Sequence, residues 1–226
     1  MKSVLSLILT LLTGMLIFVG IPLLAWDVRE WLSFLEDPAR TAYVVIIFLL
    51  QILAVGYNPR AGRNKEKRKD EVARHRVDLY LIQLFSLAIV FLAPFSDRRS
   101  WGSVNWGDSG RYAGLILVVA GFVLMQMAEK YLAKQFSVVV TVQENHQLIE
   151  TGPYRFIRHP RYLGVLLFFV GISMTFRSYV ALGLVLALLL ILLWRVYAEE
   201  ALMRREFGKA WEAYRVKSWR LIPFVF

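Results

Sequence analysis

GPYRFIRHPRYLG, residues 152–164, is the stretch from which the rest of the chain is read. It sets arginine, histidine and two tyrosines directly before an apolar run at roughly 162–176. A second apolar run, about 179–194, follows after only Arg177 and Ser178. Two apolar runs parted by two residues predict a tight helical hairpin. Another polar group, Arg195 to Glu200, stands where that hairpin has returned. Two polar groups separated by one out-and-back crossing are expected at the same membrane face.

Working outward, further apolar runs lie at roughly 4–25, 41–57, 79–95 and 112–128. With 58% hydrophobic residues in 226, these exceed what a soluble core of this size needs. A bilayer crossing takes about 20 mostly apolar residues, and shorter runs borrow flanking aromatic anchors. The predicted class is an all-α integral membrane protein of about six transmembrane helices. Lys and Arg number 21 on the side holding both termini, the 58–77 loop and the 129–161 segment, and 6 on the other. That asymmetry predicts cytoplasmic termini. The formal charge of +10 is thus a signal of topology and of attraction to anionic membrane lipids. Nucleic acid is not an expected partner, because the basic residues are spread over loops beside spans. Cysteine is absent, and His75, His146 and His159 show no ligand spacing, so no metal site is expected. The first apolar run is too long for a cleaved leader and reads as a retained anchor.

Between the spans, residues 26–40 and 96–111 read as external turns carrying tryptophans. The β-branched run 138–142 followed by Glu144-Asn145-His146 predicts a short extended pair. Past Glu200, Phe207, Trp211 and Tyr214 recur at helical spacing with basic residues between them, an interfacial amphipathic pattern that Gly208 interrupts.

The chemistry concentrates in two places. Pro160 lacks an N–H, suits a first helical turn and disfavours helix for His159, so a helix is expected to start at Pro160 with His159 near its cap. Such a start favours a carboxylate or phosphate, and Arg158 adds a planar fork of donors. The plainer alternative is an arginine on lipid phosphate. Tyr154 and Tyr162 read either as aromatic belt residues or as walls for a cationic group. Glu199 falls four residues after Arg195, an i,i+4 ion pair, which leaves Glu200 on another face without a local partner. Carboxylates there are costly unless paired or functional.

Taken together, "GPYRFIRHPRYLG", the apolar hairpin, "RVYAEE" and "FGKAWEAYRVKSWRLIP" resemble the isoprenylcysteine carboxyl methyltransferase family, whose wider relatives include membrane phospholipid N-methyltransferases. The similarity runs from about Lys134 to Pro223. It implies S-adenosylmethionine as methyl donor and a lipidic or isoprenoid acceptor entering from the bilayer. It implies a cofactor stretch of Gly152, Tyr154, Arg158, His159, Pro160, Tyr162, Leu163 and Gly164, completed by Glu199 and Glu200. Arg195 and Glu200 are the implied catalytic pair, with the arginine orienting an acceptor carboxylate. On this reading residues 1–111 are three N-terminal spans with a basic loop, and 112–226 form the methyltransferase core. Two alternatives stay open: a sterol-type membrane reductase using NADPH, and a non-enzymatic membrane scaffold.

Overall fold

The computed structural model describes residues 4–56, 75–132 and 148–226. The expected extended pair at 138–142 lies outside the described residues, among which no strand forms. The first apolar run is α1 (Val4–Met15), a π turn (Leu16–Gly20) and α2 (Ile21–Trp26). The irregularity has a local cause. Pro22 has no N–H to give to the carbonyl of Phe18, four residues earlier, and the Tyr43 hydroxyl donates to that carbonyl instead at 2.8 Å. After α3 (Trp31–Leu35) the chain bends into α4 (Pro38–Gly56). Then follow α5 (His75–Arg99), α6 (Gly107–Leu132), α7 (Pro160–Thr175), α8 (Tyr179–Phe207) and α9 (Lys209–Lys217).

Among the described residues, four stretches are long and apolar enough to cross a membrane: Leu7–Trp26, Val77–Arg99, Gly107–Leu132 and Tyr179–Phe207. Val28–Leu35 with Pro38–Ala54, bent by 103°, would make a fifth. The all-α membrane class is therefore as expected. In the fifth apolar run, α7 has 16 residues, about 24 Å at 1.5 Å per residue against a hydrocarbon core of ~30 Å. The hairpin is tight, since only Phe176, Arg177 and Ser178 separate α7 from α8.

Two compact units emerge. One comprises Met1–Asn58, Leu84–Phe122 and Leu166–Ala187; the other comprises Pro59–Gln83, Val123–Val165 and Leu188–Phe226. In the first, α6 and α7 meet backbone to backbone: a Cβ built on Gly171 would lie 2.5 Å from the Gly114 carbonyl oxygen and 2.6 Å from the Val118 nitrogen. Small residues permit such approach where lipid supplies no hydrophobic drive between helices. Several buried charged groups in this unit are paired. Asp97, its side chain fully buried, accepts from Arg177 Nη2 at 2.6 Å and faces Arg40 Nη1 at 3.4 Å. Arg40 also donates to the Phe34 carbonyl at 2.8 Å and stacks over Trp26 at 4.1 Å. Arg111 reaches Asp37 and the Thr175 carbonyl.

In the second unit the helix outruns its apolar run. The run stops at Trp194, but α8 continues to Phe207 and holds Arg195, Glu199 and Glu200, as their helical spacing implied. Residues 198–203, AEEALM, are strong helix formers, and the Arg195–Glu199 pair supports the same conformation. The helix ends where Gly208 takes φ +50°, and α9 then turns Trp211 and Tyr214 inward, where both are buried. The amphipathic face expected to lie on lipid is thus folded onto protein.

Candidate active site

Four segments of the second unit converge. The first is the 3₁₀ turn Gly152–Arg155, which Gly152 opens beside the Tyr131 ring. Tyr154 follows, buried, its carbonyl accepting from the Tyr214 hydroxyl of α9 at 2.7 Å. Burial pushes the phenols of Tyr154 and Tyr214 well above their ordinary range.

The second segment is the start of α7. Pro160 is its first residue, as its missing donor predicts. The third segment, the chain's last turn, runs alongside. Arg158 N–H donates to the Trp219 carbonyl at 2.7 Å, His159 N–H to the Arg220 carbonyl at 3.1 Å, and Trp219 N–H returns to the Phe156 carbonyl at 2.9 Å. The backbone N–H groups of Arg158 and His159, just before this helix start, are therefore held by the tail. Leu163 and Gly164 continue α7 one turn on, Gly164 buried, and add no polar side chain.

The fourth segment is the polar turn of α8. Glu200, 8% exposed, has the partners its own helix could not give it. Arg158 Nε donates to its Oε1 at 2.9 Å, and Arg220 Nη2 to its Oε2 at 2.8 Å. Arg158 Nη1 also donates to the Arg215 carbonyl at 3.0 Å and to the Ser218 carbonyl. The Arg158 guanidinium thus ties α8 to the tail. On the neighbouring face, Arg195 Nε donates to the Tyr162 hydroxyl at 2.7 Å and to Glu199 Oε1 at 3.1 Å, while the Tyr162 hydroxyl donates to Glu199. Arg195 Nη1 lies 3.2 Å from Asp78 Oδ2 of α5.

His159 stands between the two glutamates. Its Nδ1 is 3.5 Å from Glu199 Oε2 and its Nε2 3.5 Å from Glu200 Oε1, with its ring stacked on Tyr162 at 5.6 Å. Burial would lower its pKa, but the two carboxylates outweigh burial and hold it above the usual histidine range. Nε2 is buried without a hydrogen bond among the described residues. Asp78, Glu199 and Glu200 face Arg158, Arg195 and Arg220, so the described cluster balances three acids with three guanidiniums.

The structure therefore brings Arg158, His159, Tyr162, Arg195, Glu199 and Glu200 together. The tyrosines divide: Tyr162 is held by α8 and Tyr154 by α9. Sequence reasoning missed Asp78 and Arg220. Asp78 sits at the edge of a basic loop, and its only sequence signal is an acid opening an apolar run. Arg220 lies in the quoted "SWRLIP" stretch, where nothing local gives it a partner 20 residues upstream.

The phospholipid methyltransferase family profile matches residues 110–210, which include both halves of the cluster apart from Asp78 and the tail. A probable protein-S-isoprenylcysteine O-methyltransferase of Oryza sativa subsp. indica is 33% identical over 124 residues, covering 50% of this chain and 61% of that one. Protein-S-isoprenylcysteine O-methyltransferase A of Arabidopsis thaliana is 27% identical over 162 residues, 68% of this chain and 76% of that one. The fold matches a eukaryotic intramembrane Ras methyltransferase, isoprenylcysteine carboxyl methyltransferase, at TM-score 0.56 and 17% identity, over 93% of this chain and 73% of that one. The named relatives and the solved fold are isoprenylcysteine carboxyl methyltransferases, and the profile is that of the phospholipid methyltransferases. The resemblance drawn from residues 134–223 is borne out, and the likeness of fold covers 93% of this chain. The chain spans about three fifths, 61%, of the rice relative's length.

Proposed function

We propose that the protein is an S-adenosylmethionine-dependent methyltransferase that esterifies the carboxylate of a prenylated acceptor at the cytosolic membrane face. The observation that carries this reading is the buried group in which His159 stands between Glu199 and Glu200, each carboxylate tied to an arginine. The names of the similar plant proteins supply the acceptor class.

The residues fit the cofactor. S-adenosylmethionine carries a carboxylate, an ammonium, a sulfonium and ribose hydroxyls, which need acceptors, donors and an aromatic wall in one place. Glu199 and Glu200 are acceptors, Tyr162 and His159 present stacked rings, and buried Nε2 of His159 is a polar atom in need of a partner. On this reading Gly152, Tyr154, Pro160, Leu163 and Gly164 surround the cofactor, and Arg158 with Arg220 fixes Glu200. When bound, the cofactor supplies an electrophilic methyl group, which the acceptor carboxylate oxygen takes as the carbon–sulfur bond breaks. No proton need move, so the protein's task is alignment and exclusion of water. Arg195 is the acceptor-orienting residue: its planar fork matches a carboxylate, and Tyr162 and Glu199 hold it at Nε. The acceptor's apolar tail stays in lipid and enters between helices.

The cytosolic assignment rests on the 21-to-6 excess of Lys and Arg on the side that holds both termini. On this reading residues 112–226 carry most of the core, and Asp78 is a contribution from residues 1–111. The test is calorimetry of the detergent-purified protein with S-adenosylmethionine, S-adenosylhomocysteine and NADPH. Binding of the adenosyl compounds supports the proposal. Binding of NADPH alone replaces it with a reductase, and silence from all three in folded protein replaces it with a scaffold.

A further inference from the structure

We infer that Asp78 is a positioning residue for methyl transfer, holding the Arg195 guanidinium in the plane that meets the acceptor; this rests on the methyltransferase reading above. Asp78 is 1% exposed and opens a stretch apolar enough to span the membrane. A carboxylate so placed is expensive to bury and persists where something uses its charge. Its Oδ1 accepts the N–H of Leu79 at 2.8 Å, and its Oδ2 faces Arg195 Nη1 at 3.2 Å, across 117 residues of sequence.

The geometry of the guanidinium explains why a second anchor matters. Tyr162 and Glu199 both take Nε, so together they fix one corner of a rigid planar group. A contact at Nη1, on the opposite branch, fixes the plane. Arg195 is itself 3% exposed, and water cannot take over that role. Asp78 lies outside residues 110–210, where the family profile matches, so the N-terminal half supplies a side chain to the reaction. Simple charge neutralisation is the competing account. The two differ in what they require: neutralisation needs only a negative charge nearby, whereas positioning needs that charge at one place.

The experiment uses detergent-reconstituted full-length protein, S-adenosylmethionine labelled in the methyl group, and an S-farnesylcysteine derivative with a free carboxyl. Asp78→Asn is expected to lower kcat by about tenfold to hundredfold, as misplacing a group by about 1 Å does. Affinity for S-adenosylhomocysteine should stay within about twofold of wild type, since Arg195, which Asp78 faces, meets the acceptor rather than the cofactor on this reading. Asp78→Glu keeps the charge but moves it by one methylene, and is expected to fall between the two in kcat. If Asp78→Asn does not fold, Asp78→Glu decides: reduced kcat with unchanged cofactor affinity supports positioning. Wild-type kcat in Asp78→Glu overturns it, as does wild-type kcat and KM in folded Asp78→Asn. Equal losses of kcat and cofactor affinity also overturn it and assign a purely structural role. An inactive wild type removes the methyltransferase reading and this inference with it, whereas an active wild type beside an equally active Asp78→Asn removes the inference alone.

Discussion

Replacing Glu200 with glutamine is the sharpest probe of the buried cluster. Its carboxylate accepts from Arg158 at 2.9 Å and from Arg220 at 2.8 Å, and faces His159 Nε2 at 3.5 Å. Glutamine has nearly the same shape, so packing is kept while the negative charge goes. Two guanidiniums then share one neutral acceptor. Breaking a buried ion pair from one side costs ~3–5 kcal/mol. The lower end applies here, because glutamine keeps one carbonyl acceptor and the Arg220 side chain is 18% exposed. A loss of ~3 kcal/mol in a chain of this size lowers Tm by about 6–12 °C. Dye-monitored unfolding in detergent reads that shift, and calorimetry with S-adenosylhomocysteine reads the site. Affinity should fall by tenfold or more, about 1.4 kcal/mol per decade, while Glu200→Asp recovers part of both. Unchanged Tm and unchanged affinity in Glu200→Gln would refute the claim that this carboxylate organises the site.

Other expectations separate site from scaffold. Asp97→Asn leaves Arg40 and Arg177 facing a neutral group in the other unit, so it should lower stability by ~3 kcal/mol and leave cofactor affinity unchanged; unfolding and calorimetry on one preparation check both. Gly171→Ala drives a methyl into the backbone of α6, and an overpacking cost of ~1–3 kcal/mol should appear as a lower Tm. For His159, the folded pKa is raised. Its stabilising contribution is therefore complete below the unfolded value of about 6.5 and lost as pH climbs through the folded value. Wild-type Tm should fall as pH rises above about 6.5, and His159→Gln should flatten that slope; parallel slopes would contradict the pairing with Glu199 and Glu200.

Much of this architecture is legible in residue order. The hairpin follows from Arg177 and Ser178 standing alone between two apolar runs, and the start of α7 from the missing donor of Pro160. The i,i+4 pairing of Arg195 with Glu199 is pure helix geometry. Other features depend on contacts that periodicity does not carry. Hydropathy ended the last span at Trp194, whereas helix propensity and the ion pair carry α8 to Phe207. The partners of Glu200 lie 42 residues upstream and 20 downstream, and that of Asp78 lies 117 away. Arg158 looked like a ligand for an anion because its planar fork suits one. Folding instead directs that fork to Glu200 and the tail. Trp211 and Tyr214 show the same limit, since an amphipathic face predicts burial without saying whether lipid or protein covers it.

Methyl transfer itself is the most direct test. Full-length protein is incubated with methyl-labelled S-adenosylmethionine and an S-farnesylcysteine derivative, offered either with a free carboxyl or as its methyl ester. Base-labile label on the free acid alone, abolished by Arg195→Ala, is the predicted result. Label on the ester, or no label on either from folded protein that binds the cofactor, would contradict carboxyl methylation.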